Sequence, residues 1–240
     1  MPAVSPRKRP DSEAERPQLF AAADLDSTKV KILDAAFRRL AKEGYAALSM
    51  REIAKDAGVN HALINYHFRT KDQLVIAVLD EANRQLLERQ QRMYRGPGGF
   101  AEKWAEARRF YESDLASGFV RVQAELWAAS MADAELREKF LPRVRAWKEV
   151  VRGGVREAFA ALAANDVTLP AMFTPDVVAT WISEFWLGME FSDLIGEQEE
   201  RRNHLAALDA MQKLLGMLDA QTGRRTSGIA KRRTTKRRRS

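Results

Sequence analysis

Three consecutive residues, His61, Ala62 and Leu63, have the side chains needed to read the edges of DNA bases. A histidine can hydrogen-bond to a base, and an alanine or a leucine can pack against the methyl group of thymine. The first residues of a recognition helix make such contacts when that helix enters the major groove. This stretch therefore suggests sequence reading, provided that a short helix begins close to residue 61.

The neighbouring residues predict the two helices of a helix-turn-helix. Ser49 and Glu52 have the spacing of a capping box at the start of a first helix, and Gly58 stands where a helix end accepts a left-handed residue. Asn60 can cap a second helix, whose buried contact would be Ile64. Two short helices joined by a glycine turn leave residues 61–63 at the exposed start of the second helix.

This stretch resembles the N-terminal domain of TetR/AcrR-family transcriptional regulators. The family pattern is an Ile-Ala-x-x-Ala-Gly-Val core, a Tyr-x-Phe end and a lysine soon after. Ile53-Ala54, Ala57-Gly58-Val59, Tyr66-His67-Phe68 and Lys71 match it. The resemblance covers roughly residues 27–79, beyond which only the length and the helical layout agree.

The resemblance also implies which side chains hold the DNA backbone. Such contacts set register and affinity rather than sequence. Asn65 stands where many family members carry a second aromatic phosphate contact, and its amide can still donate a hydrogen bond. The implied contacts to DNA outside the reading triplet are Ser49, Arg51, Asn65, Tyr66, His67, Thr70 and Lys71.

A simpler interpretation is that the stretch is only a three-helix core. Ile53, Val59, Ile64 and Phe68 would be packing residues in either case. Packing alone does not require the polar residues at the exposed positions, so we favour DNA reading.

Composition limits the class of protein. The 240 residues allow one or two modest domains, and the absence of cysteine excludes disulfides and thiolate chemistry. No apolar run approaches the ~20 residues of a membrane span, and no secretory signal opens the chain, so we expect a soluble cytoplasmic protein without a membrane partner. Nucleotide-binding loops and serine-nucleophile motifs are missing, and the three histidines lack metal-ligand spacing. We expect no enzyme activity, no metal and no cofactor.

The net charge of +7 is concentrated in the last twenty residues. Residues 221–240 hold nine Lys or Arg and no acid, whereas residues 27–220 hold 27 bases and 28 acids. We expect the tail to be disordered and to attract DNA in a salt-sensitive way, or else merely to aid solubility. The cluster Arg7-Lys8-Arg9, in a disordered arm over residues 1–26, could touch DNA or be a solvated leader.

Apolar periodicity predicts an all-α fold of about nine helices, with no strand alternation. A first helix runs from Ser27 to Gly44, and a long fourth helix runs from the cap at Thr70 to about Arg95. Breaks near residues 117–118, 132–133, 165–175 and 196–199 delimit five more helices. The predicted organisation is a disordered arm (1–26), a helix-turn-helix DNA-binding domain (27–79), a helical regulatory and dimerisation domain (80–220) and a basic tail (221–240).

The last two helices are the candidates for a homodimer. The first of them starts at Thr174-Pro175-Asp176 and is apolar on almost every face, so a second chain is expected to cover part of it. The other, predicted from about Glu200 to Ala220, places leucines and methionines on one side. Two copies of this pair would form a four-helix bundle, and the dimer would present two reader domains to a palindromic operator. His204 is expected at the surface.

Aromatic residues between residues 104 and 190, with acids among them, predict a small-molecule pocket between helices. A carboxylate beside aromatic rings suits a cationic ligand, although each residue could instead be ordinary core. The stretches ELWAASM and FWLGM also resemble the choline-responsive BetI-like branch of the family, and Glu190 shares the setting of the other acids. The candidate pocket residues are Trp104, Tyr111, Glu125, Trp127, Met131, Trp147, Glu184, Phe185, Trp186 and Met189.

Together these observations predict a homodimeric, DNA-binding transcriptional repressor that a small-molecule effector releases from its operator. The alternative is an architectural or interaction protein of the same fold that binds DNA without any effector.

Overall fold

The computed structural model describes residues 27–237, with side chains described for residues 27–220. The cluster Arg7-Lys8-Arg9 lies outside the described residues. Within that range the chain forms nine α-helices and no strand, which confirms the predicted fold class. The helices are α1 (Ser27–Ala47), α2 (Met50–Ala57), α3 (His61–His67), α4 (Lys71–Arg95), α5 (Phe100–Ser117), α6 (Phe119–Ala132), α7 (Ala134–Ala164), α8 (Pro175–Ile195) and α9 (Gln198–Arg237).

The first three helices and the start of α4 share one apolar core. Ile32, Leu40, Ile53 and Ile64 are completely buried in it, and so is Leu74 of α4. Burying each of these side chains contributes roughly 1.5–3 kcal/mol. Since α4 belongs to this core and continues for 25 residues, it joins the reader domain (residues 27–79) to the remaining helices.

The remaining helices pack around α4 and α7. α7 lies between α4 and α8, α5 packs against α9, and α6 contacts both α1 and α7. α7 continues through Pro142 and Gly153-Gly154 without interruption. Gly154 is required by close packing, because a Cβ there would collide with the ring of Tyr94 on α4.

Two local predictions at helix starts need correction. Ser49 occupies the N-cap of α2, but its side chain makes no capping hydrogen bond. Glu52 does not complete a capping box, because its carboxylate lies 3.3 Å from the guanidinium of Arg39 on α1. An ion pair with a neighbouring helix has replaced the local contact.

Two predictions about the last helix are also wrong. α9 continues over residues 221–237 instead of ending near Ala220. No proline interrupts this segment, and an existing helix extends with little further cost. His204 is not a surface residue: its Nδ1 lies 2.8 Å from the carboxylate of Asp193, which is almost completely buried at the end of α8.

Candidate nucleic-acid interface and ligand cavity

The turn and caps around α3 position the predicted reading residues. Gly58 ends α2 in the left-handed conformation at φ 65°, which favours glycine. Asn60 then caps α3, its side-chain oxygen accepting a hydrogen bond from the backbone N–H of Ala62 at 2.9 Å. Ile64 and Phe68 anchor the inner side of α3 in the core. The opposite side of this short helix therefore faces outward.

All four residues predicted on that outer side are exposed, namely His61, Ala62, Leu63 and Asn65, and so is the predicted phosphate contact Tyr66. Tyr66 is 81% exposed, which is unusual for a large aromatic side chain. The amide nitrogen of Asn65 lies 3.5 Å from Nδ1 of His61, one turn earlier. Because these side chains are exposed and are not part of the core, they are available to a partner.

Lys71, predicted as a phosphate contact, is partly committed within the protein. Its ammonium donates a hydrogen bond to the backbone oxygen of Tyr45 at 3.1 Å and lies 4.2 Å from the centre of the Tyr45 ring. The Tyr45 hydroxyl in turn donates to Asp72 at 2.5 Å. An ammonium has three donors, so Lys71 can brace the reader domain and still offer hydrogen bonds outward.

The N-terminus of α4 offers further contacts beside Lys71. Thr70 caps this helix, its hydroxyl oxygen accepting a hydrogen bond from the backbone N–H of Gln73 at 3.1 Å. The hydroxyl proton is left to donate, and the helix dipole favours an anion at this end. His67 is half-buried beside Tyr66, with the two ring centres 5.3 Å apart.

Charge in the reader domain is distributed unevenly. Arg39 lies against the carboxylates of Glu43, Glu52 and Asp56, which ties α1 to α2. The Arg39 guanidinium holds the pKa of Asp56 below its ordinary value. Arg51 and Arg69 are exposed and form no ion pair with any residue in the described range. Their positive charge is thus free to attract phosphates.

Glu125 connects the reader domain to α6, contrary to its predicted place in a ligand pocket. Its carboxylate accepts a hydrogen bond from the backbone N–H of Tyr45 at 3.1 Å. The preceding residue, Gly44, has a φ of 81° and breaks the regular geometry of α1. A Cβ at Gly44 would lie 2.6 Å from the Glu125 carboxylate, so the contact needs glycine for both reasons.

A small cavity opens between α4, α5, α6, α7 and α8. Three of the predicted pocket residues form part of its wall: Tyr111, Trp147 and Trp186. Its volume is about 40 Å³, and a water occupies ~10–15 Å³ on this measure, so the cavity holds about three waters. A larger ligand would have to displace wall side chains such as Met93 and Leu187.

Two of the polar side chains that line this cavity are acidic, Asp114 and Glu190. Asp114 is buried and paired with Arg89, whose guanidinium also lies 4.7 Å from the centre of the Phe110 ring. Glu190, by contrast, has no hydrogen bond or ion pair to any residue in the described range. Burial, together with the nearby charge of Asp114, raises the pKa of Glu190 to about 8. Sequence analysis missed Asp114, since α5 places it three residues after Tyr111 without any aromatic residue adjacent to it.

The other predicted pocket residues do not line the cavity. Trp104 packs on Trp186 with ring centres 5.2 Å apart and donates a hydrogen bond to the backbone oxygen of Leu208. Trp127 stacks edge-on against Phe140 and Phe191. Packing with other aromatic side chains accounts for both residues.

Four more predicted pocket residues are placed elsewhere. Phe185 stacks on Trp104 and Trp186, and Met189 is buried in the core. Met131 is 69% exposed. Glu184 is exposed and pairs with Lys148 of α7. Met131 lies on α6 and the other three residues lie on α8. Their positions along these helices place them on different faces from the residues that line the cavity.

None of the described helices is long and apolar enough to cross a membrane.

Comparison of the sequence with protein families matches residues 32–78 to the bacterial regulatory proteins of the TetR family. The HTH-type transcriptional repressor Rv3405c of Mycobacterium tuberculosis is 45% identical over 85 residues. The aligned segment is 35% of this chain, and it spans only 39% of the length of that repressor.

The fold of about three quarters of the chain is similar to that of solved regulators. FadR from Bacillus subtilis, in complex with stearoyl-CoA, has a TM-score of 0.62 at 20% identity, covering 77% of this chain and 96% of FadR. A putative transcriptional regulator from Saccharomonospora viridis, in complex with choline, has a TM-score of 0.60 at 20% identity, covering 78% of this chain and 93% of its own. At these identities the likeness concerns the fold alone.

Proposed function

We propose that this chain, whose residues 32–78 match the TetR family, is a homodimeric transcriptional repressor which a cationic small molecule releases from a palindromic operator. The observation that carries the DNA-binding part is the exposed face of α3. His61, Ala62 and Leu63 begin the helix, and Tyr66 projects beside them, while Ile64 holds the opposite side in the core. A protein with no nucleic-acid partner would have no use for this exposed set.

A dimer is supported by apolar side chains left uncovered on the last two helices. The dimer face consists of Trp181 and Ile195 on α8 with Met211, Leu214 and Met217 on α9, all of them exposed. Ile195 is 84% exposed. Exposed apolar side chains that cluster on a surface typically mark an interface, and the same face on two copies gives a symmetric contact. The two recognition helices would then meet successive major grooves about 34–36 Å apart.

An effector is supported by the cavity between α4 and α8. Its aromatic wall and the unpaired Glu190 suit a ligand that combines an apolar body with positive charge. The similar fold from Saccharomonospora viridis was solved with choline, itself a cation, and FadR from Bacillus subtilis with stearoyl-CoA. A buried acid disfavours an anionic ligand, so the residues of this chain favour the first kind of effector.

Release from DNA would depend on α6. Gln123 lines the cavity, and Glu125, two residues along the same helix, holds the backbone of Tyr45. Tyr45 in turn carries the hydrogen bonds to Lys71 and Asp72 at the start of α4. A ligand that enlarges the cavity would shift α6, and the shift would reach the reader domain through these bonds. The effector weakens DNA binding only to the extent that it binds the protein with α6 shifted more tightly than the protein with α6 in its DNA-binding position.

Selecting and sequencing the DNA that the purified protein retains from a random library would test the proposal. We expect a palindromic consensus with half-sites one helical turn apart or a multiple of it. Recovery of DNA without any consensus would contradict sequence reading by α3. A consensus with a single half-site would contradict the dimeric arrangement.

A further inference from the structure

The hydrogen-bonding groups of the cavity restrict the chemistry of the ligand beyond its charge. Its wall includes two acceptors without a hydrogen-bond partner among the described residues, the Glu190 carboxyl and the Gln90 side-chain oxygen. The Gln90 oxygen is fully buried. An unsatisfied buried acceptor such as the Gln90 oxygen carries a free-energy cost. A ligand that donates to both would recover this cost, whereas one that only fills space would not.

Asp114 is not the acid that receives the ligand. The guanidinium of Arg89 pairs with Asp114 and lies over the ring of Phe110, so the Asp114 carboxylate already has a cationic partner with N–H donors. This pairing opposes the rise that burial causes in the pKa of Asp114. Glu190 is the carboxyl that is left for an incoming charge.

We propose that the effector head group is a cation with N–H donors, a primary or secondary ammonium or an amidinium, bound between the Glu190 carboxyl and the Gln90 side-chain oxygen. The inference rests on the proposed role of the cavity as the effector site. A quaternary ammonium has the charge but no N–H, so it leaves the Gln90 oxygen unpaired. Its methyl groups also hold the positive centre away from Glu190, which weakens the attraction.

Binding of such a cation is coupled to release of a proton. Burial raises the pKa of Glu190 to about 8, so this carboxyl is mostly protonated at neutral pH. The ligand ammonium stabilises the ionised form, and the carboxyl proton leaves to solvent as the cation enters. Ligand affinity therefore rises with pH up to about 8, by as much as about tenfold per pH unit.

The test uses the full-length protein and n-alkylammonium ions from ethyl to octyl, with the trimethylammonium ion and the alcohol of each chain length. Trp147 and Trp186 in the cavity wall report binding through their fluorescence. At the best-fitting length, we expect the primary ammonium to bind at least tenfold more tightly than both analogues. Equal or tighter binding of the trimethylammonium ion overturns the inference. So does equal binding of the alcohol, or no saturable binding by any member of the series.

The variant Glu190→Gln separates the head-group contact from general packing. It should lower the affinity for the primary ammonium at least tenfold and leave that for the alcohol unchanged. Glu184→Gln is the matched control, since Glu184 lies on the same helix but is exposed and paired with Lys148. Operator binding is measured in the same preparations. If amines bind with this preference and the DNA affinity does not change, the cavity is an amine site but the effector role fails. If only amine binding fails, the inference is overturned and the DNA-binding function stands.

Discussion

The Glu125 carboxylate on α6 accepts a hydrogen bond from the backbone N–H of Tyr45 in the reader domain, at 3.1 Å. The two residues are separated by 80 positions in the sequence. Tyr45 also receives a hydrogen bond from Lys71 on its backbone oxygen, so both its backbone groups are held by side chains of other helices. This joint fixes the angle between the reader domain and the body of the protein.

Replacing Glu125 by alanine should loosen that joint. The Tyr45 N–H loses its acceptor, which we expect to reduce the free energy of unfolding by about 1–2 kcal/mol and to speed hydrogen exchange at Tyr45. Denaturant unfolding and hydrogen-exchange mass spectrometry would measure the two effects. Glu138→Ala, at an exposed position of α7, is the control. If Glu125→Ala is no less stable than this control, the hydrogen bond contributes nothing to the joint.

His61→Ala and Lys71→Ala should alter DNA binding in different ways. His61→Ala removes a base contact, which should lower discrimination at one base pair by roughly 1–3 kcal/mol. Lys71→Ala removes a phosphate contact, which should weaken binding to all DNA sequences alike. It should also reduce the slope of log affinity against log salt by about 1. Binding titrations on the consensus site and on point-mutated sites distinguish these patterns. Lys213→Ala on the exposed side of α9 serves as a control, and equal, sequence-independent losses in both variants would refute the assigned roles.

The double variant Ile195→Glu/Leu214→Glu should be monomeric. Each glutamate would place a charge in the dimer face, where burying an unpaired charge is costly. Sedimentation velocity gives the mass directly, and we expect a fall from two chains to one together with loss of binding to a palindromic site. Met131→Glu provides the comparison, because Met131 is equally apolar and exposed but lies on α6. A double variant that remains a dimer would place the interface elsewhere.

Glu190→Gln should change how stability depends on pH. In the folded protein the pKa of Glu190 is raised from 4.5 to about 8, so the unfolded chain releases this proton first. The free energy of unfolding of the parent protein therefore falls by up to about 1.4 kcal/mol per pH unit between those two values.

The glutamine variant lacks this loss and should become the more stable protein as pH rises toward 8. The charged and ionisable groups that face Glu190 are Asp114 and Tyr111 of α5 and Arg89 of α4, and all three are present in both proteins. Thermal or urea unfolding at pH 5, 6.5 and 8 measures the difference. A stability gap that does not widen with pH would show that Glu190 is already ionised in the folded protein.

Removing residues 224–240 should flatten the salt dependence of DNA binding. This segment holds nine Lys or Arg, and each phosphate contact contributes about 0.9 to the slope of log affinity against log salt. Titrations between 50 and 300 mM salt would compare the truncated and full-length chains on the same DNA. An unchanged slope would mean that the tail does not contact DNA.

Local signals in the sequence were sufficient to predict where α3 lies in the reader domain. Gly58 needs a left-handed backbone, Asn60 caps the next helix, and Ile64 must be buried, so α3 could be placed together with its exposed face. These contacts span only a few residues, and for that reason the sequence pattern alone specifies them. The same holds for the positions of the helix breaks, since glycine and proline act on their immediate neighbours.

The cavity, in contrast, depended on how five helices pack. Tyr111, Trp147 and Trp186 line it. Trp104 and Trp127 are also aromatic residues within helices, but they pack elsewhere. Glu125 and Glu190 are both acids beside aromatic residues, and only the rotation of α6 and α8 against their neighbours turns one to the reader domain and the other into the cavity. Periodicity indicates that a helix has a buried side, but which helix covers that side is decided by tertiary packing.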